Sequence, residues 1–110
     1  GKTARRAQRL GTEIEKAEND RAYLDSQLRL LVGKLWLDLT SAYDAWQLAE
    51  ETLANSRRLY EVSLANYSAG LIPLQDLLQA ETAYRADASA RIDALIAYRT
   101  AVVAYTGRGE

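Results

Sequence analysis

The chain has 110 residues, a length that fits one domain, and its 48% hydrophobic and 26% charged residues exclude a disordered polar tract. With no His and no Cys, the chain excludes thiolate catalysis, disulfides, zinc fingers, His-ligated haem, di-iron Glu-x-x-His sites and Ser-His-Asp triads. Lys and Arg number 14 against 15 Asp and Glu, but the charge is uneven: Lys2, Arg5, Arg6 and Arg9 put +4 in the first ten residues and leave −5 for the remainder.

These exclusions lead us to expect no enzyme, no catalytic residue, no metal site and no cofactor. A basic start can meet nucleic acid or lipid headgroups. Four cations on one helix end read more simply as a solvated face, and no nucleic-acid partner is expected. No stretch approaches 18 apolar residues, so no segment of this chain is expected to span a membrane as a helix. The chain opens on Gly1 and contains no Met, which suggests a fragment of a longer protein. Nineteen Ala and seventeen Leu, one Pro, and three of the six Gly near the ends (Gly1, Gly107, Gly109) point to long helices.

The first helix has two possible starts. Thr12-Glu13-Ile14-Glu15 has the Thr-x-x-Glu form of a capping box, whereas Thr3 is an earlier cap followed by Ala4, Ala7 and Leu10. The earlier start is favoured, giving a helix over about residues 3–69. Apolar or small residues recur along it at Leu24, Leu28, Leu31, Leu35, Leu39, Ala42, Trp46, Ala49, Leu53, Tyr60, Leu64 and Tyr67, in steps of three, four and one seven. That is a helical stripe. Gly33 costs about 1 kcal/mol in a helix interior and need not break one of this length.

The turn lies at residues 69–73, Ala69-Gly70-Leu71-Ile72-Pro73. Gly closing one periodic run and Pro opening the next is the expected stop–start asymmetry. Gly70 is free to take the left-handed conformation, Pro73 loses no hydrogen bond at a first helical position, and Asp76 falls in the first turn, where a carboxylate suits the helix dipole. Leu71 and Ile72 are large and apolar where a solvated turn favours Asn, Asp or Ser. Leu71 could pack back on the first helix as the usual partner of a Gly cap, but that leaves Ile72 unexplained.

The second helix covers about residues 73–106. One stripe runs Leu77, Tyr84, Ala88, Leu95, Tyr98, Val102, Tyr105, with Glu81 and Arg91 interleaved; a neighbouring one runs Ala80, Ala83, Ala90, Ala94, Ala97, Ala101, Ala104, with Asp87 interleaved. Both keep the rhythm of a coiled coil, and two adjacent stripes imply two partner helices. The fold class expected is therefore all-α: an antiparallel two-helix coiled-coil hairpin with one long and one shorter helix. At 1.5 Å per residue the helices would run roughly 100 Å and roughly 50 Å. Folding back pairs Tyr67 with Leu74, Leu64 with Leu77, Trp46 with Leu95 and Leu35 with Tyr105. Residues 1–34 then lack a partner in this chain, so other chains, or a missing part of this one, are expected to cover them. Glu13/Glu15 and Glu50-Glu51, the latter near Arg57, Arg58 and Glu61, read as solvated faces. Trp46 and the seven Tyr read as seam knobs rather than a ligand cage. Glu81 and Arg91 are open between register-setting and rim positions, and Asp87 between a channel and an ordinary surface.

The run Tyr67-Ser68-Ala69-Gly70-Leu71-Ile72-Pro73-Leu74-Gln75-Asp76-Leu77-Leu78-Gln79-Ala80 resembles the periplasmic tip of the TolC-like outer-membrane efflux proteins. That family shows a Tyr-x-x-Gly turn, a helix opening near Leu-Asp-x-Leu-x-Ala, and Ala-rich coil closing on a Leu/Tyr-x-x-x-Gly end; here the last part reads Tyr98-Arg-Thr-Ala-Val-Val-Ala-Tyr105-Thr-Gly107. The resemblance implies a hairpin from the periplasmic portion of a Gram-negative outer-membrane protein. That protein would be a trimeric channel for tripartite efflux or type I secretion. A periplasmic adaptor protein would dock at the tip and link it indirectly to an inner-membrane transporter. The residues carried over are Tyr67, Ala69, Gly70, Leu71 and Ile72 as the adaptor-docking tip, with Asp76 and Gln79 near the aperture. The sequence departs from the family in three places. Some members carry an Arg at Ile72 and a second Asp at Gln79, and Pro73 replaces a polar cap. A polar latch of that design is not implied here. The isolated chain is expected to self-associate, as a trimer in its parent channel or as a dimer alone. The other class of function the sequence permits is a self-associating coiled-coil spacer or scaffold with no transport role.

Overall fold

The computed structural model describes residues 1–108, and its helices are α1 (Lys2–Ser68) and α2 (Leu74–Thr106). Among the described residues there is no strand, and no helix is long and apolar enough to cross a membrane. The chain divides into two compact units, Gly1–Leu35 and Trp36–Glu110.

The first unit is one stretch of α1. The helix opens at Lys2, with the Gly1 carbonyl accepting from the Arg5 N–H at 3.2 Å. Thr12 opens nothing: its hydroxyl donates to the Gln8 carbonyl one turn back at 3.1 Å, a use available only inside a helix. Gly11 and Gly33 pass without a break. Residues 1–34 are all exposed, Leu10, Ile14, Leu24, Leu28 and Leu31 included.

The second unit is the hairpin. The seam on α1 is Leu35's successor series Leu39, Ala42, Trp46, Ala49, Leu53, Ser56, Tyr60 and Ser63, all at least half-buried. Ser56 fills the seven-residue gap that the apolar pattern leaves between Leu53 and Tyr60. Its hydroxyl is satisfied by the Leu53 carbonyl at 3.2 Å, so a small polar residue sits in the seam at little cost. Near the turn the seam departs from the sequence expectation. Ser63 is buried while its neighbour Leu64 is exposed. A coiled seam repeats every 3.5 residues, so its contact line drifts across an apolar stripe read at 3.6. Ser63 stands seven residues beyond Ser56, on that line.

On α2 the Leu/Tyr stripe faces α1: Leu77, Tyr84, Ala88, Leu95, Tyr98 and Val102 are buried or half-buried. The Ala stripe splits. Ala80, Ala94 and Ala101, with Asp87, flank the seam, whereas Ala83, Ala90, Ala97 and Ala104 are exposed. Aromatic layers bridge the helices. Trp36 meets Tyr105 at 5.5 Å between ring centroids, Trp46 stacks on Tyr98 at 5.3 Å, Tyr43 meets Tyr98 edge-on at 5.6 Å, and Tyr60 meets Tyr84 at 5.5 Å. Each such pair contributes about 0.5–1.5 kcal/mol beyond its area burial. Trp46 thus engages a ring one turn beyond Leu95, the residue expected opposite it.

The hairpin closes most tightly near the turn, where Ser63, Leu77 and Ala80 are 9%, 8% and 7% exposed. Two of these three side chains are small, and Leu77 is the one large apolar side chain among them. Leu77→Ala should therefore lower the free energy of unfolding by about 2 kcal/mol, the low end for a buried leucine. Leu48→Ala, on an exposed face of α1, should change it by less than about 0.5 kcal/mol. Urea unfolding followed by circular dichroism checks both.

Candidate functional site at the hairpin tip

The tip is a helix end built by one glycine. Gly70 has φ 76°, in the left-handed region. Its N–H donates to the Tyr67 carbonyl at 2.9 Å and the Leu71 N–H donates to the Asn66 carbonyl at 2.8 Å. These two bonds are the 5→2 and 6→1 pair of a Schellman motif, which satisfies carbonyls that the end of α1 would otherwise leave open. A Cβ at Gly70 would touch nothing within 4 Å, so the requirement for glycine there is conformational and not steric.

A Schellman end usually brings its Leu71 position against the residue at position 66 as an apolar contact. Here residue 66 is Asn, and Leu71 is 73% exposed. Leu71 does not pack back on α1. Ile72 is the half-buried one of the two, Tyr67 remains partly exposed, and Ala69 is exposed. The tip thus presents one large apolar side chain on a turn whose Ala69, Gly70 and Leu71 N–H groups are all hydrogen-bonded to the end of α1.

Pro73 stands one residue earlier than the first helical position expected for it. It is the N-cap of α2, with φ −74° and ψ 160°, and makes no side-chain cap hydrogen bond. Its carbonyl accepts from the Asp76 N–H at 3.1 Å, and Asp76 supplies the negative charge in the first turn. Asp76 and Gln79 are both exposed, on faces turned from the seam that their neighbours Leu77 and Ala80 enter. Asp76 heads a column continued at seven-residue intervals by the exposed Ala83, Ala90, Ala97 and Ala104. Gln79 lines a shallow groove with Gln75, Leu78, Thr82, Ala83 and Ala86. The far end of α2 closes with a second left-handed glycine, Gly107 at φ 71°, whose N–H donates to the Val103 carbonyl at 2.7 Å.

Midway along the hairpin lies a polar link that the sequence reading misses. The Arg91 Nε donates to Glu50 Oε1, and the Trp46 indole N–H donates to the same oxygen at 3.0 Å. Glu50 is therefore more than a residue of a solvated face: from the exposed edge of the seam it reaches across to α2. Arg91 sets register, whereas Glu81 pairs with Arg85 at 2.7 Å one turn along its own helix and is a rim residue. Arg57 pairs likewise with Glu61 at 3.2 Å and Arg29 with Asp25 at 3.0 Å. Such exposed pairs contribute about 0.3–0.5 kcal/mol each. The Arg91 guanidinium holds the Glu50 carboxyl below its ordinary value, with the Trp46 indole acting in the same direction against partial desolvation.

Compared with known proteins, the chain matches no family model, no curated protein and no solved structure.

Two measurements test this geometry. Gly70→Ala should destabilise the hairpin by about 1–2 kcal/mol through the left-handed backbone alone, and Gly70→Asn by less. A carboxyl whose pKa falls on folding adds stability that is present above its unfolded value and lost as pH falls through the folded one. The melting temperature of Glu50→Gln should therefore lie below that of the parent at about pH 7, and the gap should close on acidification below the ordinary carboxylate value.

Proposed function

We propose that this hairpin is a periplasmic wall segment of a trimeric TolC-like outer-membrane channel, serving tripartite efflux or type I secretion, and that its tip docks a periplasmic adaptor protein. The observation that carries this reading is the tip: a glycine-capped turn of the Tyr67-x-x-Gly70 pattern that leaves Leu71 outward and unpacked. A turn with only a structural role gains nothing from an exposed leucine. An apolar side chain held on a rigid, hydrogen-bonded turn is suited to insert into a partner.

The outer faces of the hairpin support the same reading. The Asp76/Ala83/Ala90/Ala97/Ala104 column of α2 offers a narrow surface that another helix can approach closely. On α1, Leu37, Leu48 and Leu59 repeat every eleven residues and are all exposed. A hairpin flanked by further helices on both sides, as in a tunnel wall, uses both surfaces. Asp76 and Gln79, polar and beside the turn, are placed in this reading at the aperture. A latch built on a tip arginine is absent because Ile72 occupies that position.

The assembly part of the proposal is tested by sedimentation. Apolar area on this scale exceeds what soluble monomers usually expose, so the isolated chain should associate as a dimer or trimer at about 100 μM, on the scale where micromolar contacts are filled. A clean monomer at that concentration contradicts it. The tip is tested in the parent channel: Leu71→Asp and Gly70→Ala should lower export while leaving trimer formation and membrane insertion intact. Normal export by Leu71→Asp would favour a spacer or scaffold over a docking tip.

A further inference from the structure

On the flank of the hairpin, far along α1 from the turn, a recess of about 230 Å³ opens between Trp36, Leu39, Thr40, Tyr43 and Asp44 of α1 and Tyr98 of α2. Trp36 and Tyr43 stand seven residues apart on one face of α1, and Tyr98 of α2 lies edge-on to Tyr43 at 5.6 Å. Trp36 and Tyr43 remain 54% and 45% exposed although each already packs against another ring. Thr40 offers no free donor, since its single hydroxyl proton is shared between the Trp36 and Leu37 carbonyls at 3.1 Å each, but its oxygen can still accept. One carboxylate, exposed Asp44, borders the recess, and no Lys or Arg lines it. The larger groove beside Glu50 differs: Arg57 and Arg58 line it together with Glu50 and Glu61, so cations of the protein occupy the place a cationic ligand would need.

We propose that this recess is a binding site for a quaternary ammonium group. Aromatic faces attract a cation through their quadrupoles, more strongly as water is excluded, and quaternary ammonium groups, which are weakly hydrated, are the cations that aromatic sites typically recognise. The chemistry of the lining selects it over a primary amine. An –NH₃⁺ group brings three donors that need acceptors. Here the lining is mostly aromatic and aliphatic: the Thr40 hydroxyl offers one accepting oxygen, and the Asp44 carboxylate supplies the formal anion. A trimethylammonium group asks for no hydrogen bond and leaves none unmade. Its charge complements Asp44 while its methyl groups cover Leu39 and the ring faces. The recess lies on the flank and not at the turn, so this inference stands independently of the tip reading.

The test is a titration of the full chain with choline chloride at constant ionic strength, followed by NMR shifts of the Trp36 indole and the Tyr43 and Tyr98 rings. The neutral isostere 3,3-dimethyl-1-butanol serves as the control. Choline should give saturable shifts confined to these rings, and the isostere should not. Asp44→Asn, an exposed substitution that leaves the seam intact, should weaken choline about fivefold, the size of one unit-charge contact at about 4 Å in water-like surroundings. Tyr43→Leu keeps apolar bulk and removes one ring, and should abolish saturation with helix content unchanged by circular dichroism. Equal binding of the isostere, or unchanged affinity in Asp44→Asn, overturns the proposal. So does a choline response that vanishes as the protein is concentrated, which would mean that a second copy covers the recess.

Discussion

Two packed helices can enclose only the stripe along which they touch, and every other feature of this protein follows from that limit. No third layer exists to make an interior. Among the described residues, burial below a tenth of the free surface is reached only at Ser63, Leu77 and Ala80, next to the turn. Elsewhere the helices are held by side chains long enough to cover one another across the seam: Trp36 on Tyr105, Trp46 on Tyr98, Tyr60 on Tyr84, and Arg91 on Glu50. The left-handed Gly70 decides which of these meet, since it sets where α1 stops and α2 returns. The Arg91–Glu50 link then discriminates against slipped registers. A shift of one heptad would set Arg91 opposite Tyr43 or Arg57 in place of Glu50 and leave the charge without its partner.

The same limit leaves much apolar surface outside the hairpin. In the first unit Leu10, Ile14, Leu24, Leu28 and Leu31 are exposed; in the second, Leu37, Leu48, Leu59, Ile92 and Ile96 are. A sequence that maintains apolar residues on several helix faces is suited to a larger helical assembly. The small-residue column headed by Asp76 is suited to one in which helices lie close. The proposal of a channel wall takes its force from the combination of these lateral faces with an apolar residue displayed at the turn.

Much of this architecture is legible in the sequence, and the parts that are not have identifiable physical reasons. Gly70 and Pro73 punctuate the chain because backbone conformation at a helix end depends on residue type, and the turn falls between them. The Leu77-to-Tyr105 stripe of α2 is readable because large apolar residues dominate its contacts. Ser56 and Ser63 are invisible to a hydrophobic pattern, although the narrowness of the seam near the turn is what requires small residues there. Glu50 is misread for a different reason: its backbone position lies at the edge of the seam, and only the length and charge of its side chain carry it to Arg91. The exposure of Leu71 has a local cause that the sequence does carry. It depends on Asn66, which has no apolar surface for Leu71 to return to.

The central claim is that Leu71 is presented for a partner. The most direct measurement places a photo-reactive benzophenone side chain at position 71 of the parent protein in living cells. A second copy of the experiment places it at position 37, on the outer face of α1. The account predicts that position 71 captures a membrane-anchored periplasmic adaptor identified by mass spectrometry, and that position 37 captures only the channel's own chain. Capture of only its own chain at position 71, in cells that export normally, would contradict it.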